Sequence, residues 1–314
     1  MDYLYRGLCG LARAHRAGGM AGHVGASLIA GQFFCQEHPE LDPRVHAAVR
    51  AELDRIAAGE ETVWFNQKKV GMTVSELVAP LPVRDLQKDA AATLAEALRR
   101  NIGKLRQSGH NVIFAALAVK ALQAHPDHAA AGIVDGIRKL VACFDNAGPG
   151  RGYYGEERGW LIGADVPEPT GDVPPPYGSA RDMAAAVLDA VGLHAGENRR
   201  GFGGLFHVIN HAAALNDLLT AGYGGLAEEG LTAHRDHLRV WRELPVLDSE
   251  LGRLEAATRD PHTPAYWQRR TSSQWSGWLT HRVKTLYGFA RLLALVDDVD
   301  TRGRAESGFR LLMA

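Results

Sequence analysis

Residues 109–127 read GHNVIFAALAVKALQAHPD, and this stretch decides the fold class. Its apolar positions do not alternate as those of a half-buried strand would. They recur at three- and four-residue steps, through Val112, Ile113, Ala116, Leu117 and Ala121, which is the period of an α-helix. Gly109 marks the start, and His125-Pro126 marks the stop, because proline lacks the N–H for a helical bond and restricts the residue before it. The apolar run Val112–Val119 is eight residues, well short of the about 20 that cross a bilayer.

Residues 22–40, GHVGASLIAGQFFCQEHPE, repeat the layout at an offset of 87. Five of eighteen aligned positions are identical, and they include the leading Gly-His and the trailing His-Pro. Related openings occur at Gly203-Gly204-Leu205-Phe206-His207 and Ser276-Gly277-Trp278-Leu279-Thr280-His281. Four long apolar helices thus carry a histidine in or near their first turns. In an array of antiparallel hairpins the equivalent helices run the same way, so His23, His110, His207 and His281 are expected to gather at one end. The expected fold is all-α, a single domain over residues 1–314 built as a bundle or partial α/α toroid of helical hairpins. Helices are expected near 3–17, 22–37, 43–58, 85–106, 109–124, 127–144, 179–198, 204–221, 223–243, 248–257, 276–296 and 301–312, with almost no strand.

Residues 145–178 break this pattern. They are rich in glycine and proline, carry Tyr153, Tyr154, Trp160 and Tyr177, and lack helical periodicity. Long irregular segments inside compact domains are commonly functional lids, so this one is expected to cover a pocket.

Charge and motifs narrow the function. Lys and Arg number 35 against 36 Asp and Glu, a net charge of -1, so no phosphate-tracking surface is expected and nucleic acid is not a partner. The first residues lack a secretory pattern, and Cys9, Cys35 and Cys143 form no CxxC. A cytoplasmic, reducing compartment with no membrane association fits these features. Nucleotide-binding glycine motifs, HExxH and GxSxG are absent.

The histidines carry the remaining signal, because neutral imidazole suits Fe, Zn, Cu and Ni. His207 and His211 share a helical face with Asn210, and His281 and Lys284 share another. A lysine on an apolar helix either snorkels, pairs with a buried carboxylate, or reacts with carbon dioxide to give a carbamate, and burial favours the neutral amine that this reaction needs. His38 and His125 are expected to end helices. His15, His46, His128, His194, His234, His237 and His262 are expected on the surface or behind the site.

The blocks Gly204-Leu205-Phe206-His207-Val208-Ile209, Gly222-Tyr223 and Ala227-Glu228-Glu229-Gly230-Leu231, with Gly109-His110-Asn111-Val112-Ile113-Phe114 and Thr280-His281-Arg282-Val283-Lys284-Thr285, resemble the questin-oxidase-like family over roughly residues 20 to 295. That family comprises all-helical, oxygen-dependent enzymes acting on aromatic polyketides. The resemblance implies a mononuclear non-heme iron held by His23, His110, His207, His281 and a carboxylated Lys284, with His211 in reserve. Fe(II) is the implied cofactor, Zn or another divalent metal the alternative, and NADPH an external reductant. His207, His211 and Lys284 are then the expected catalytic group. Tyr153, Tyr154, Trp160 and Phe114 are expected to meet an aromatic small molecule, with Phe33, Phe34, Phe206 and Trp278 as further wall. The competing expectations are a zinc-dependent lyase or hydrolase and a non-catalytic helical scaffold.

Overall fold

The computed structural model describes residues 2–255, 259–268 and 276–314. Its helices are α1 (Tyr3–Ala17), α2 (Gly22–Glu37), α3 (Pro43–Ala58), α4 (Gln67–Val70), α5 (Val74–Leu77), α6 (Ala90–Arg99), α7 (His110–Ala124), α8 (Ala131–Ala142), α9 (Ala180–His194), α10 (Gly204–Thr220), α11 (Gly224–Arg242), α12 (Asp248–Leu251), α13 (Pro264–Trp267), α14 (Trp278–Leu293) and α15 (Val299–Leu312). The class is all-α, as the periodicity indicates. The strand content among the described residues is one antiparallel pair, β1 (Arg151–Tyr153) with β2 (Trp160–Ile162).

Four helices form the centre. α2 packs on α7 and α14, and α10 packs on the same two, closing a ring of four. These helices are buried nearly all round: 13 of 16 residues in α2 and 12 of 15 in α7 are inaccessible, so neither shows a distinct polar face. Amphipathic helices cover them, α1 on α2, α3 on α2 and α14, α6 on α7, and α11 on α10. One hydrophobic core runs from Tyr3 to Met313. The α1–α2 contact is close enough that a Cβ on Gly25 would lie 2.5 Å from the Gly7 carbonyl oxygen.

The four central helices run in the same direction. Their first turns meet at the histidines, and near their other ends Lys120 Nζ lies 2.5 Å from Glu37 Oε1 and 3.3 Å from Asp217 Oδ1. Arg291 Nε closes this group, 3.1 Å from Asp217 Oδ1. Tyr287 Oη donates to Asp217 Oδ2 at 2.6 Å, so the fully buried carboxylate is paired on every side, as burial of a charge demands.

Several helix limits differ from expectation. The 85–106 helix shrinks to Ala90–Arg99 because Leu86 bridges to Ala130 in extended form and residues 107–109 form a separate 3-10 turn. The 127–144 helix begins at Ala131, after a 3-10 turn over Pro126–His128. The 179–198 helix ends at His194. The 248–257 helix is a single turn ending at Leu251, and residues 256 and 257 lie outside the described residues. α4, α5 and α13 are too short to leave a periodic signal.

Candidate metal centre

Three of the four histidine-bearing helices open on a left-handed glycine: Gly109 (φ 82°), Gly203 (φ 72°) and Gly277 (φ 68°). A side chain there would be strained and would also collide: a Cβ on Gly203 would lie 2.2 Å from His207 Cγ, and one on Gly277 2.8 Å from the Trp64 ring. Upstream, Gln107, Ser108 and Phe202 also hold positive φ without being glycine. Such strain, of order 1–3 kcal/mol per residue, persists where surrounding structure over-determines it and clusters at functional sites.

The openings bring His23, His110, His207 and His281 together. His110 Nε2 lies 2.7 Å from His23 Nε2, and His207 Nε2 lies 2.8 Å from His281 Nε2. His23, His207 and His281 present ligand atoms within 4.8 Å of one another. The His110 and His207 ring centroids are 4.5 Å apart. Two nitrogens bound side by side on an octahedral ion at about 2.1 Å stand about 3.0 Å apart, so the pair spacings suit neighbouring ligands of one ion.

Hydrogen bonds set which nitrogen faces inward. His110 Nδ1 donates to the Gln107 carbonyl. A carbonyl can only accept, so the His110 ring holds its proton on the outward edge and presents a lone pair inward. Burial holds His23, His207 and His281 well below the ordinary imidazole range, and Lys284 and the neighbouring rings add to the shift. Burial takes His110 down to about 3. The four rings are neutral at pH 7, the form that binds metal.

Lys284 is also buried, 2% exposed, and its Nζ hydrogen-bonds His23 Nδ1. Burial lowers its ammonium to about 7 against the opposing pull of Glu61. The lysine therefore stands on the edge of the His23 ring opposite the Nε2 that meets His110.

Two residues at the site escaped the sequence reading. Glu61, 2% exposed, accepts from the Leu279 N–H and, at 3.2 Å, from the Thr280 N–H, capping the start of α14 with a carboxylate where the helix dipole favours one. Trp64 donates to Glu61 Oε2 at 3.2 Å and stacks on His23, 3.7 Å between centroids at 16°. Both sit in an irregular stretch after α3, where no periodicity points to them. Trp64, Phe206, Trp278 and His281 are half-buried, unlike the other three imidazoles, and Phe206 lies 5.6 Å from Trp278 and 6.0 Å from His281. The cluster thus approaches the surface beneath an aromatic rim.

The other expected residues divide. Phe114 is at the centre, edge-on to His23 at 5.5 Å, but it is wholly buried as wall. Phe33 lies beside Tyr287 and Phe34 beside His38, at the far end of the core. His211 belongs to a second buried group, with Nδ1 3.3 Å from His237 Nδ1 and its ring 5.1 Å from His234. His234 and His237 are fully buried, so of the two expected places, the surface or behind the site, they take the inner one. They are one turn apart on the inner face of α11.

The 145–178 segment is fastened differently from the expected lid. Tyr153 donates to Glu250 at 2.8 Å, Trp160 is 46% exposed beneath Arg151, and Tyr154 lies against Arg158. None of these three has a ring contact with the four imidazoles among the described residues. Instead the backbone of 148–153 straps two openings: Gln107 N and Ser108 N donate to the Gly148 and Pro149 carbonyls, and Phe202 N donates to the Arg151 carbonyl. The backbone of residues 148–151 thus braces the histidines' supports, while Tyr177, farther along the segment, lies 5.8 Å from the His234 ring.

Among the described residues no helix is long and apolar enough to cross a membrane. No protein-family model, curated protein or solved structure matches this chain.

Proposed function

We propose that this chain is a non-heme iron oxygenase of the questin-oxidase-like kind, acting with O2 on a hydroxylated or quinone-like aromatic molecule. The observation that carries the reading is the convergence of four neutral imidazoles, three buried and one half-buried, in two Nε2 pairs at 2.7 and 2.8 Å, a donor set that suits iron. Iron, when bound, supplies the one-electron chemistry by which O2 reacts with an organic ring.

His23, His110, His207 and His281 hold the ion in this reading. The carbonyl of Gln107 orients the His110 ring. Ligation through His23 Nε2 leaves that ring's proton on Nδ1, aimed at Lys284 Nζ. Lys284 must then accept a hydrogen bond, which an ammonium cannot do. The neutral amine can, and so can an oxygen of the carbamate it forms with carbon dioxide. The carbamate also supplies an anion that offsets the ion's charge in a low-dielectric interior. Trp64, Phe206 and Trp278 offer faces for a planar ring and exclude water from the reacting atoms. The free thiols Cys9, Cys35 and Cys143 suit a reducing, cytoplasmic setting.

The test is anaerobic loading of the apo-protein with Fe(II), followed by O2 uptake with candidate phenols and quinones, with and without NADPH. Uptake that requires both iron and substrate, and is lost in His207→Ala, supports the reading. Equal turnover with zinc under anaerobiosis overturns it in favour of Lewis-acid chemistry.

A further inference from the structure

A second group of metal-ligating side chains lies on the outside of the molecule, at the turn between α7 and α8. His125, Asp127 and His128 present ligand atoms that all lie within 4.8 Å of one another. The 3-10 turn over Pro126–His128, closed by the His128 N–H donating to the His125 carbonyl at 3.0 Å, explains the arrangement. In 3-10 geometry the side chains at i and i+3 eclipse. The His125 and His128 rings accordingly stack with 5.1 Å between centroids and 15° between planes.

A further carboxylate arrives from the start of the chain. Asp2 Oδ1 caps α1 by accepting from the Tyr5 N–H at 2.9 Å, which leaves Oδ2 free, 3.3 Å from His128 Nε2. Asp127 Oδ2 is 3.7 Å from the same nitrogen. The opposite nitrogen, His128 Nδ1, is buried without a hydrogen-bond partner. Two carboxylates therefore converge on one imidazole beside a second.

We propose that this turn is a surface site for a divalent transition cation of the zinc class, held by His125, Asp127 and His128 with Asp2 completing the set. Mixed imidazole and carboxylate donors favour Zn2+ over the all-oxygen cations Mg2+ and Ca2+. The bound ion would tie the cap of α1 to the α7–α8 turn. It owes nothing to the central histidines, so this site stands or falls independently of the oxygenase reading.

The experiment is equilibrium dialysis against micromolar Zn2+ followed by elemental analysis. The wild-type chain is expected to retain one more zinc than His125→Ala/His128→Ala, and His207→Ala is expected to keep that surface zinc. Asp127→Asn, which preserves size and the turn, is expected to weaken the surface site by about tenfold or more while its circular dichroism stays that of the wild type. The proposal is overturned if the double variant, folded, binds as much zinc as the wild type, or if Asp127→Asn leaves the affinity unchanged.

Discussion

Lys284 Nζ is hydrogen-bonded to His23 Nδ1, while the Nε2 of the same ring meets His110 2.7 Å away. One imidazole thus couples Lys284 to the other histidines of the cluster, and the proton on that ring cannot serve both neighbours at once.

This coupling makes the lysine's hydrogen-bonding capacity measurable. Lys284→Met removes the acceptor that His23 needs on ligating an ion, and metal affinity is expected to fall by about 10–100-fold. Lys284→Gln, whose amide oxygen accepts, is expected to keep more of it. Competition against a chelator of known affinity distinguishes the two, and equal affinities in both variants would refute the role.

Glu61 binds α14 across a gap of 218 residues. Glu61→Ala leaves the N–H groups of Leu279 and Thr280 buried without their acceptor, and is expected to cost about 1–3 kcal/mol. Glu61→Gln retains a carbonyl oxygen and should recover most of the loss. Urea midpoints measure both, and Trp64, released from its bond to Glu61 in the alanine variant, should emit at longer wavelength.

The second histidine group sets an acid limit. Burial depresses His234 to about 3 and His237 to about 4 from the ordinary 6.5. Below pH 6.5 the unfolded chain takes up protons that these two folded side chains refuse. Stability that is present above pH 6.5 is therefore lost as pH falls toward about 4, with the pair contributing a slope of up to about 2.7 kcal/mol per pH unit. Denaturation curves between pH 7.5 and 4.5 should show that loss, and His234→Gln should flatten it. An unchanged slope in that variant would remove His234 from the account.

The strap predicts a contrast within the 145–178 segment. A Cβ on Gly152 would lie 2.7 Å from Leu244 and 2.9 Å from Phe202, so Gly152→Val is expected to cost about 1–3 kcal/mol and to weaken metal binding by shifting the opening of α10. Trp160→Ala, at an exposed position, should leave both nearly unchanged. Thermal denaturation and metal competition on the two variants test the bracing role directly.

Much of the central ring was legible in the chain. α2 falls at its expected limits, α7 and α10 within a residue of theirs, and α14 within three, because periodicity, glycine starts and His-Pro stops act within a turn or two. The four histidines could be picked out for the same reason: each occupies an equivalent place in a repeated local pattern.

What lay beyond the sequence was everything carried by irregular backbone. Glu61 and Trp64 have no period to mark them, and the inward lone pair of His110 depends on the Gln107 carbonyl, placed by a left-handed turn. The aromatics of residues 145–178 suggested a lid, while nothing in the sequence marked the bonds by which Gln107, Ser108 and Phe202 hold the backbone of residues 148–151. By itself the sequence determined the helices and the turn of each that bears a histidine, since those follow from local hydrogen bonding and side-chain period. Only the tertiary structure decided which nitrogens meet, what stands behind them and where the loops run, because those are settled by packing and hydrogen bonds between residues far apart in the chain.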